Sequence, residues 1–462
     1  MTKPHVSIKN HDDLALPRIP EDLMQFIRRD SYSLLIKGYA GTGKTTLALT
    51  ILNVLGVKKD FFYISTRLSP KQLFQYYPWL EGFLQQSTSP GTNMTRDHEM
   101  MSTFEDARLD EPESLFERIT NQLMDIKSPI IIIDSWDAIA SFMDREARLN
   151  NERVLQTWRE RAGAKLIFIS EQPTDATLDF IVDGIVELRQ SYYNNIKMRQ
   201  IFLQKLRGTR INRPCYLYTL ENSIFHSFTP YKRITFETHK TEAPDLSDVS
   251  IRDSIQTGYP ALDVSLGSGF PRKGVVLVEL DSHVDMTIAL VLLQKVVSNH
   301  VLSGNPVVLQ PFSWIEPSSI LHFFEQSIPA TKKGYLKVVS TGKNLNANQL
   351  LGTLVKMKQK YRNKVLLNIM SAESLHNLNR TRNVRETLLT ILPPMLAHAD
   401  LSIFLVPNSH PDTVDFISEV SNIHLRLLMI NDALFLQPLV PSSNLFSLVL
   451  DWDSPMSLKA VV

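Results

Sequence analysis

The residues with the clearest chemistry form one short run, Gly38-Tyr39-Ala40-Gly41-Thr42-Gly43-Lys44-Thr45-Thr46. It fits G-x-x-x-x-G-K-[ST], a loop whose glycines let backbone N–H groups converge on a phosphate. In that arrangement Lys44 reaches the β- and γ-phosphates of a nucleotide, and the Thr45 hydroxyl holds Mg²⁺. Gly38, Gly41, Thr42, Gly43, Lys44, Thr45 and Thr46 are the expected nucleotide-binding residues. A second anchor for Mg²⁺ is expected where a buried strand ends, and Pro129-Ile130-Ile131-Ile132-Ile133-Asp134-Ser135 supplies one. Asp134 is assigned to the metal side together with Thr45, acting through a water. The other reading of Asp134 is a cap for the next helix, a position that Asp favours.

These groups need a particular scaffold. Ser33-Leu34-Leu35-Ile36 reads as a buried strand ahead of the loop, and Thr46-Leu47-Ala48-Leu49-Thr50-Ile51-Leu52 as a helix behind it. Four successive isoleucines suit a central parallel strand buried on both faces. Asp60 to Ser65 and Ala164 to Ser170 read as further strands. Ser69-Pro70 opens a helix, Glu111 to Ile126 and Glu146 to Arg161 read as two more, and Gln85 to Ala107 reads as a loop. Gly184 to Leu188 and Arg199 to Leu206 read as a closing hairpin. Strands alternating with helices, then late antiparallel strands, describe an α/β core of the RecA-like kind.

Composition narrows the class. The chain has 462 residues, 43% of them apolar, which excludes a disordered or fibrous polymer. Lys+Arg is 49 against Asp+Glu 48, a formal net charge of +1 that argues against a dedicated nucleic-acid-coating protein while leaving room for a local basic patch, so nucleic acid is not an expected partner. The single cysteine, Cys215, excludes a disulfide framework within the chain and disfavours a cysteine-based zinc site. The polar stretch Met1 to Asp13 shows no signal peptide, and no apolar run approaches the ~20 residues of a membrane span. The expectation is a soluble, cytoplasmic protein with no membrane contact.

In chain order the phosphate loop, Tyr63-Ile64-Ser65, Asp134-Ser135, Ser170-Glu171, Asp183-Gly184-Ile185-Val186-Glu187-Leu188 and Lys205-Leu206-Arg207-Gly208-Thr209 resemble the KaiC-type branch of the RecA superfamily. More narrowly, Tyr63 to Pro70, Asp106-Ala107-Arg108-Leu109 and Glu111 to Ile119 resemble archaeal gas-vesicle regulator D (GvpD-like) proteins. The resemblance covers about residues 20–230. It implies ATP and Mg²⁺ as ligands, a homo-oligomer, and a regulatory role with a transcription-regulating partner. It also implies that Lys205 and Arg207 reach across a subunit interface to the neighbour's γ-phosphate, an arginine-finger arrangement. Alternation on a strand puts these two cations on one face.

One departure bears on hydrolysis. KaiC-type ATPases carry two adjacent glutamates after the Tyr-Ile-Ser strand, one of which activates water. Arg67 and Leu68 stand there, and neither can act as a base. Glu171 is the candidate to take over, and Arg67 could contact the γ-phosphate in cis.

The second half restarts the pattern. Gln256 to Asp263 and Leu266 to Gly274 resemble the opening of a KaiC-type domain, followed by a strand from Val275 to Glu279. Matching Thr46-Leu47-Ala48-Leu49 to Thr287-Ile288-Ala289-Leu290 puts Asp285 opposite Lys44 and Met286 opposite Thr45. Matching Phe202 to Arg207 with Phe435 to Val440 puts Pro438 and Val440 opposite Lys205 and Arg207, and Met370 falls opposite Asp134. The expected organisation is two tandem RecA-like P-loop domains, the second degenerate. Residues 15–235 form the ATP-binding domain, 236–254 a linker, and 255–462 the copy without a working phosphate loop. The leading expectation is an ATP-binding regulator with weak hydrolysis. The alternatives are an active ATPase related to DNA recombinases, and a scaffold in which ATP is structural.

Overall fold

The computed structural model describes residues 18–57, 60–85, 104–107, 128–144, 146, 151, 153–154, 157, 159–161, 163–172, 178–232, 254–310, 315–339, 347–377, 384–449 and 456–461. The expected helix at 111–126, the motif residues 108–119, nearly all of the linker and most of the loop expected between 85 and 107 lie outside the described residues. Two compact units divide between Phe228 and Thr229.

The first unit is built on a nine-stranded sheet. Its strands are β1 (Tyr32–Gly38), β2 (Phe61–Ser65), β3 (Phe104–Asp106), β4 (Ile130–Asp134), β5 (Lys165–Ser170), β6 (Gly184–Tyr193), β7 (Ile196–Leu206), β8 (Cys215–Thr219) and β9 (His226–Ser227). Their order is β3-β2-β4-β5-β1-β6-β7-β8-β9. Pairs from β3 through β6 are parallel, and those from β6 to β9 are antiparallel.

The near-continuous apolar runs of β1, β2, β4 and β5 follow from burial on both faces. Alternation sends Leu34, Ile36, Tyr63, Ile132 and Ile167 to one core layer, with Leu47, Ile51 and Leu52 of the helix Lys44–Leu55. It sends Leu35, Ile64, Ile131, Ile133 and Phe168 to the other, with Trp136 of the helix Trp136–Ala140. The helix after the glycine loop ends at Gly56, whose φ of 66° is the left-handed cap that glycine accepts cheaply. Parallel strands leave the C-terminal ends of β1, β2, β4 and β5 along one edge, where open α/β sheets bind ligands. This is an α/β unit of RecA-like architecture.

The second unit holds another nine-stranded sheet. Its strands are β12 (Gly274–Leu280), β13 (Val307–Gln310), β14 (Leu336–Val338), β15 (Leu367–Ser371), β16 (Leu401–Pro407), β17 (Ile423–Ile430), β18 (Ala433–Val440), β19 (Phe446–Val449) and β20 (Ser457–Ala460). Two short strands, β10 (Ser254–Ile255) and β11 (Phe270–Pro271), pair separately. The order β14-β13-β15-β16-β12-β17-β18-β19-β20 repeats that of the first sheet strand for strand.

Small details repeat as well. Asp183 Oδ2 accepts from Ser33 N at 3.0 Å, and Asn422 Oδ1 accepts from Val275 N at 2.8 Å. Both hairpins carry a register shift at the same place, after Ile185 in β6 and after His424 in β17.

This pairing fixes which residues correspond. Ser33 matches Val275, so Gly38 matches Leu280 and Gly43 matches Asp285. Lys44 and Thr45 then match Met286 and Thr287, one residue away from the correspondence drawn on the helix residues. Both helices are apolar on nearly every side, so their sequences slide by one with little penalty. Strand hydrogen bonding does not slide, because a one-residue slip turns every side chain to the other face. For the same reason Asp134 matches Ser371 rather than Met370, and Lys205 matches Val440 rather than Pro438.

Candidate nucleotide site

The loop after β1 turns on glycines. Gly38, Gly41 and Gly43 have φ of 155°, 76° and 90°, all in the region that side-chain-bearing residues avoid. A Cβ on Gly38 would lie 2.6 Å from Leu188 O, and one on Gly43 2.6 Å from Leu220 Cδ1. The turn is braced from the antiparallel side of the sheet. Gln190 Nε2 donates to Gly41 O at 2.7 Å and Tyr218 OH donates to Thr42 O at 2.5 Å. Thr42 Oγ1 closes the turn on Tyr39 O at 2.8 Å, and Thr46 Oγ1 meets Tyr77 OH at 3.1 Å.

Lys44 is buried at the first turn of its helix. Its Nζ donates to Gly38 O at 2.8 Å and Tyr39 O at 3.0 Å, so the ammonium is folded back over the loop. Burial pushes its pKa down, and the carboxylates of Glu171 and Asp134 partly offset that. Thr45 Oγ1 donates to Asp134 Oδ2 at 2.6 Å. The sheet brings these two together from positions far apart in sequence, because β1 and β4 both flank β5.

Asp134 also accepts from Tyr63 OH at 2.6 Å. Burial raises its pKa against the two hydrogen bonds and the nearby Lys44 and Arg67 charges. Burial, followed by the Asp134 charge, raises Tyr63 in turn. The helix cap is Ser135, so Asp134 faces the loop rather than the helix that follows. Tyr63 belongs to a motif block that carries the resemblance, but its hold on Asp134 is a site role that the motifs do not point to. The available signal is its place two residues before Ser65, on a strand adjoining β4.

Glu171 follows β5 and sits at the same edge. Its backbone N–H donates to Asp137 Oδ2 at 2.5 Å. Its Oε1 stands 4.0 Å from Lys44 Nζ, and its Oε2 pairs with Arg67 Nη2. Lys205 and Arg207 are placed elsewhere, against the segment 178–183. Lys205 Nζ donates to Asp179 O at 2.8 Å, while Arg207 lies 3.5 Å from Asp183 Oδ1 and 56% of its side chain is exposed. Burial, and then the neighbouring Arg207 charge, lowers the Lys205 pKa. Cys215 lies in β8 with its thiol pushed up by burial, the opposite of an activated cysteine.

The donor set fits a phosphate and Mg²⁺. Two of the loop glycines stand where a Cβ would collide, and the backbone conformation is the one that forms an anion nest. Among the described residues no cluster of three or more His, Cys, Asp or Glu side chains could hold a metal by itself. Mg²⁺ commonly binds through one carboxylate plus phosphate oxygens and waters, which Asp134 and Thr45 could complete. No helix among the described residues is long and apolar enough to cross a membrane.

Comparison with known proteins agrees with this architecture. The family model described as GvpD gas vesicle protein, P-loop domain, matches residues 23–204. Protein GvpD2 of Halobacterium salinarum is 27% identical over 318 residues, covering 65% of this chain and 62% of that protein. Protein GvpD1 of the same organism is 28% identical over 298 residues, covering 61% and 54%. The circadian clock oscillator protein KaiC of Picosynechococcus sp. is 24% identical over 265 residues, covering 53% and 47%. The chain thus spans about half to three-fifths of the length of these relatives. With the loop, the sheet order and these likenesses in agreement, the chain is a RecA-superfamily P-loop protein related to the GvpD and KaiC families.

Proposed function

We propose that the first unit binds Mg·ATP and that the bound nucleotide sets the protein's assembly or its hold on a partner. The observation that carries this is the convergence of Lys44, the left-handed glycines and the Thr45–Asp134 hydrogen bond at one sheet edge. The loop backbone and Lys44 take the phosphates, while Thr45 and Asp134 take Mg²⁺, Asp134 through a water.

Lys205 and Arg207 act on the neighbouring subunit's γ-phosphate. Their own-chain contacts support this only in being light enough to exchange, with Arg207 mostly in solvent. Hydrolysis is slow, because Arg67 and Leu68 stand where the related ATPases carry acids. Glu171 is the carboxylate at hand to orient water, and it pairs with Arg67 when no nucleotide is bound. The partner is a transcription regulator, by analogy with the gas-vesicle relatives.

The second unit is a degenerate copy that holds no nucleotide. Its identical strand order supports a common origin, and the chemistry of its loop supports the loss.

The test is size-exclusion chromatography with light scattering in ATP, in ADP and without nucleotide, with phosphate release assayed on the same samples. A mass that rises in ATP and fails to rise in Lys44→Ala is expected. A monomer in all three states removes the assembly reading and the role of Lys205 and Arg207 in trans.

A further inference from the structure

Arg67 has a fixed place at the loop. It lies two residues past β2, whose last residue, Ser65, pairs with Asp134. Thr66 N donates to Asp134 O at 2.8 Å on one side of it. On the other side Ser69 and Gln72 form a capping box on the helix Pro70–Tyr76. The backbone that carries Arg67 is therefore anchored both to the proposed metal strand and to a helix.

The guanidinium is half exposed and pairs with Glu171. The other oxygen of the same carboxylate faces Lys44 Nζ at 4.0 Å. One carboxylate thus bridges two cations, one of them the phosphate-loop lysine. The Arg67 charge acts on Lys44 and on Asp134 alike, which places it in the same electrostatic neighbourhood. An ordinary exposed ion pair contributes little and has no reason to include a buried lysine. A carboxylate in this position is a stand-in anion. A phosphate brought to Lys44 must displace its hold or suffer like-charge repulsion.

We infer that Arg67 and Glu171 form a charge latch in cis that selects nucleoside triphosphate over diphosphate. This inference rests on the reading of the first unit as a nucleotide site. Without nucleotide, Glu171 neutralises Lys44 and Arg67 together. A terminal phosphate offers the planar guanidinium a bidentate acceptor of higher charge, and its own charge drives Glu171 away. A diphosphate engages Lys44 but leaves Arg67 on Glu171. Arg67 therefore reports the γ-phosphate, and the freed Glu171 reports its arrival. The loss of an acid at position 67 is then a gain of triphosphate recognition.

The experiment is an equilibrium titration of the full chain with Mg²⁺ and either ADP or the non-hydrolysable imido analogue of ATP. Arg67→Ala is expected to weaken the triphosphate analogue about tenfold or more while leaving ADP within about twofold. Glu171→Gln is expected to tighten the triphosphate several-fold more than ADP. In the double variant that excess disappears, as coupling through one pair requires. Arg67 is half exposed and outside the apolar core, so its removal should leave the fold intact, and a thermal melt of the variant checks this.

An unchanged triphosphate-to-diphosphate ratio in Arg67→Ala overturns the latch. So does a weaker triphosphate in Glu171→Gln. Lys44→Ala separates the two ideas, because it should lose both nucleotides. If it does so while the Arg67→Ala ratio is unchanged, the nucleotide site stands and the latch falls. If the unaltered chain binds neither nucleotide, both fall.

Discussion

The two loops that follow β1 and β12 have the same length and the same first turn, and opposite chemistry. Thr42 N donates to Tyr39 O in one, and Val284 N donates to Asp281 O in the other. In the first, Gly38, Gly41 and Gly43 are left-handed; in the second, no residue from Leu280 to Thr287 has a positive φ. The helix after Gly43 has no side-chain cap, so its N-terminal dipole and free N–H groups face the loop. The helix after Asp285 is capped by that residue, whose carboxylate accepts from Thr287 N at 2.9 Å. The second unit has thus brought an anion of its own to the place where the first awaits a phosphate. Charge is reversed one step away too. Lys37, paired with Asp179, matches Glu279, paired with His424 and flanked by Arg426. The two units share one fold with different loops because the apolar strands and the ladder define the fold, and the loop residues do not.

Substituting the two matched positions Lys44 and Met286 tests this contrast most severely. Lys44→Ala should weaken ATP and ADP by a hundredfold or more, whereas Met286→Ala should leave both unchanged, as read by titration of the full chain. Gly43→Ala should approach the effect of Lys44→Ala. It forces a Cβ into Leu220 at a φ of 90° and should also cost roughly 1–3 kcal/mol of stability. Nucleotide affinity that tracks Met286 rather than Lys44 would invert the assignment of the two units.

Much of the first unit is legible in the amino-acid sequence alone. The phosphate loop is legible because its glycines are demanded by backbone conformation, and the isoleucine strand because a parallel strand buried on both faces reads as a continuous apolar run. Asp134 is legible as the polar residue that ends such a run. Tyr63 is not, since a tyrosine in a strand packs in the core far more often than it holds a carboxylate. The Arg67–Glu171 pair is legible only as two separate residues, because β2 and β5 are separated in the sheet by β4 and sequence spacing does not bring their ends together. In the second unit, matching by residue type misses the register by one at Lys44 and Asp134 and by two at Lys205. Short apolar identities carry less positional information than hydrogen-bonded ladders.

Asp134 sharpens the contrast by its matched residue, Ser371, which carries no charge to bury. With its folded-state pKa raised by burial, Asp134 binds more protons in the native state than in the unfolded chain. Stability from this group is fully present below the ordinary aspartate range, and is lost as pH rises through the raised value. Asp134→Asn should therefore melt higher than the unaltered, nucleotide-free chain at pH 7 and nearly equal to it at pH 4. The same variant should weaken Mg²⁺-dependent nucleotide binding. A melting difference of the same size at both pH values would mean that charge burial is not the cause.

The smallest effect expected concerns the carboxylate cap that stands in the second loop at the position matching Gly43. Asp285→Ala removes the acceptor for Thr287 N and should lower stability by about 1 kcal/mol, measured by urea unfolding of the full chain. The loss should be the same with and without ATP if, as proposed, the capped helix takes no part in nucleotide binding. Removing the carboxylate leaves Leu280, His283 and Met286 where a nest needs glycines and a lysine, so stoichiometry should stay at one nucleotide per chain. A second equivalent bound by Asp285→Ala would show that the acid alone had been keeping phosphate out. The left-handed glycines would then be less essential to the first loop than their collisions with Leu188 and Leu220 imply.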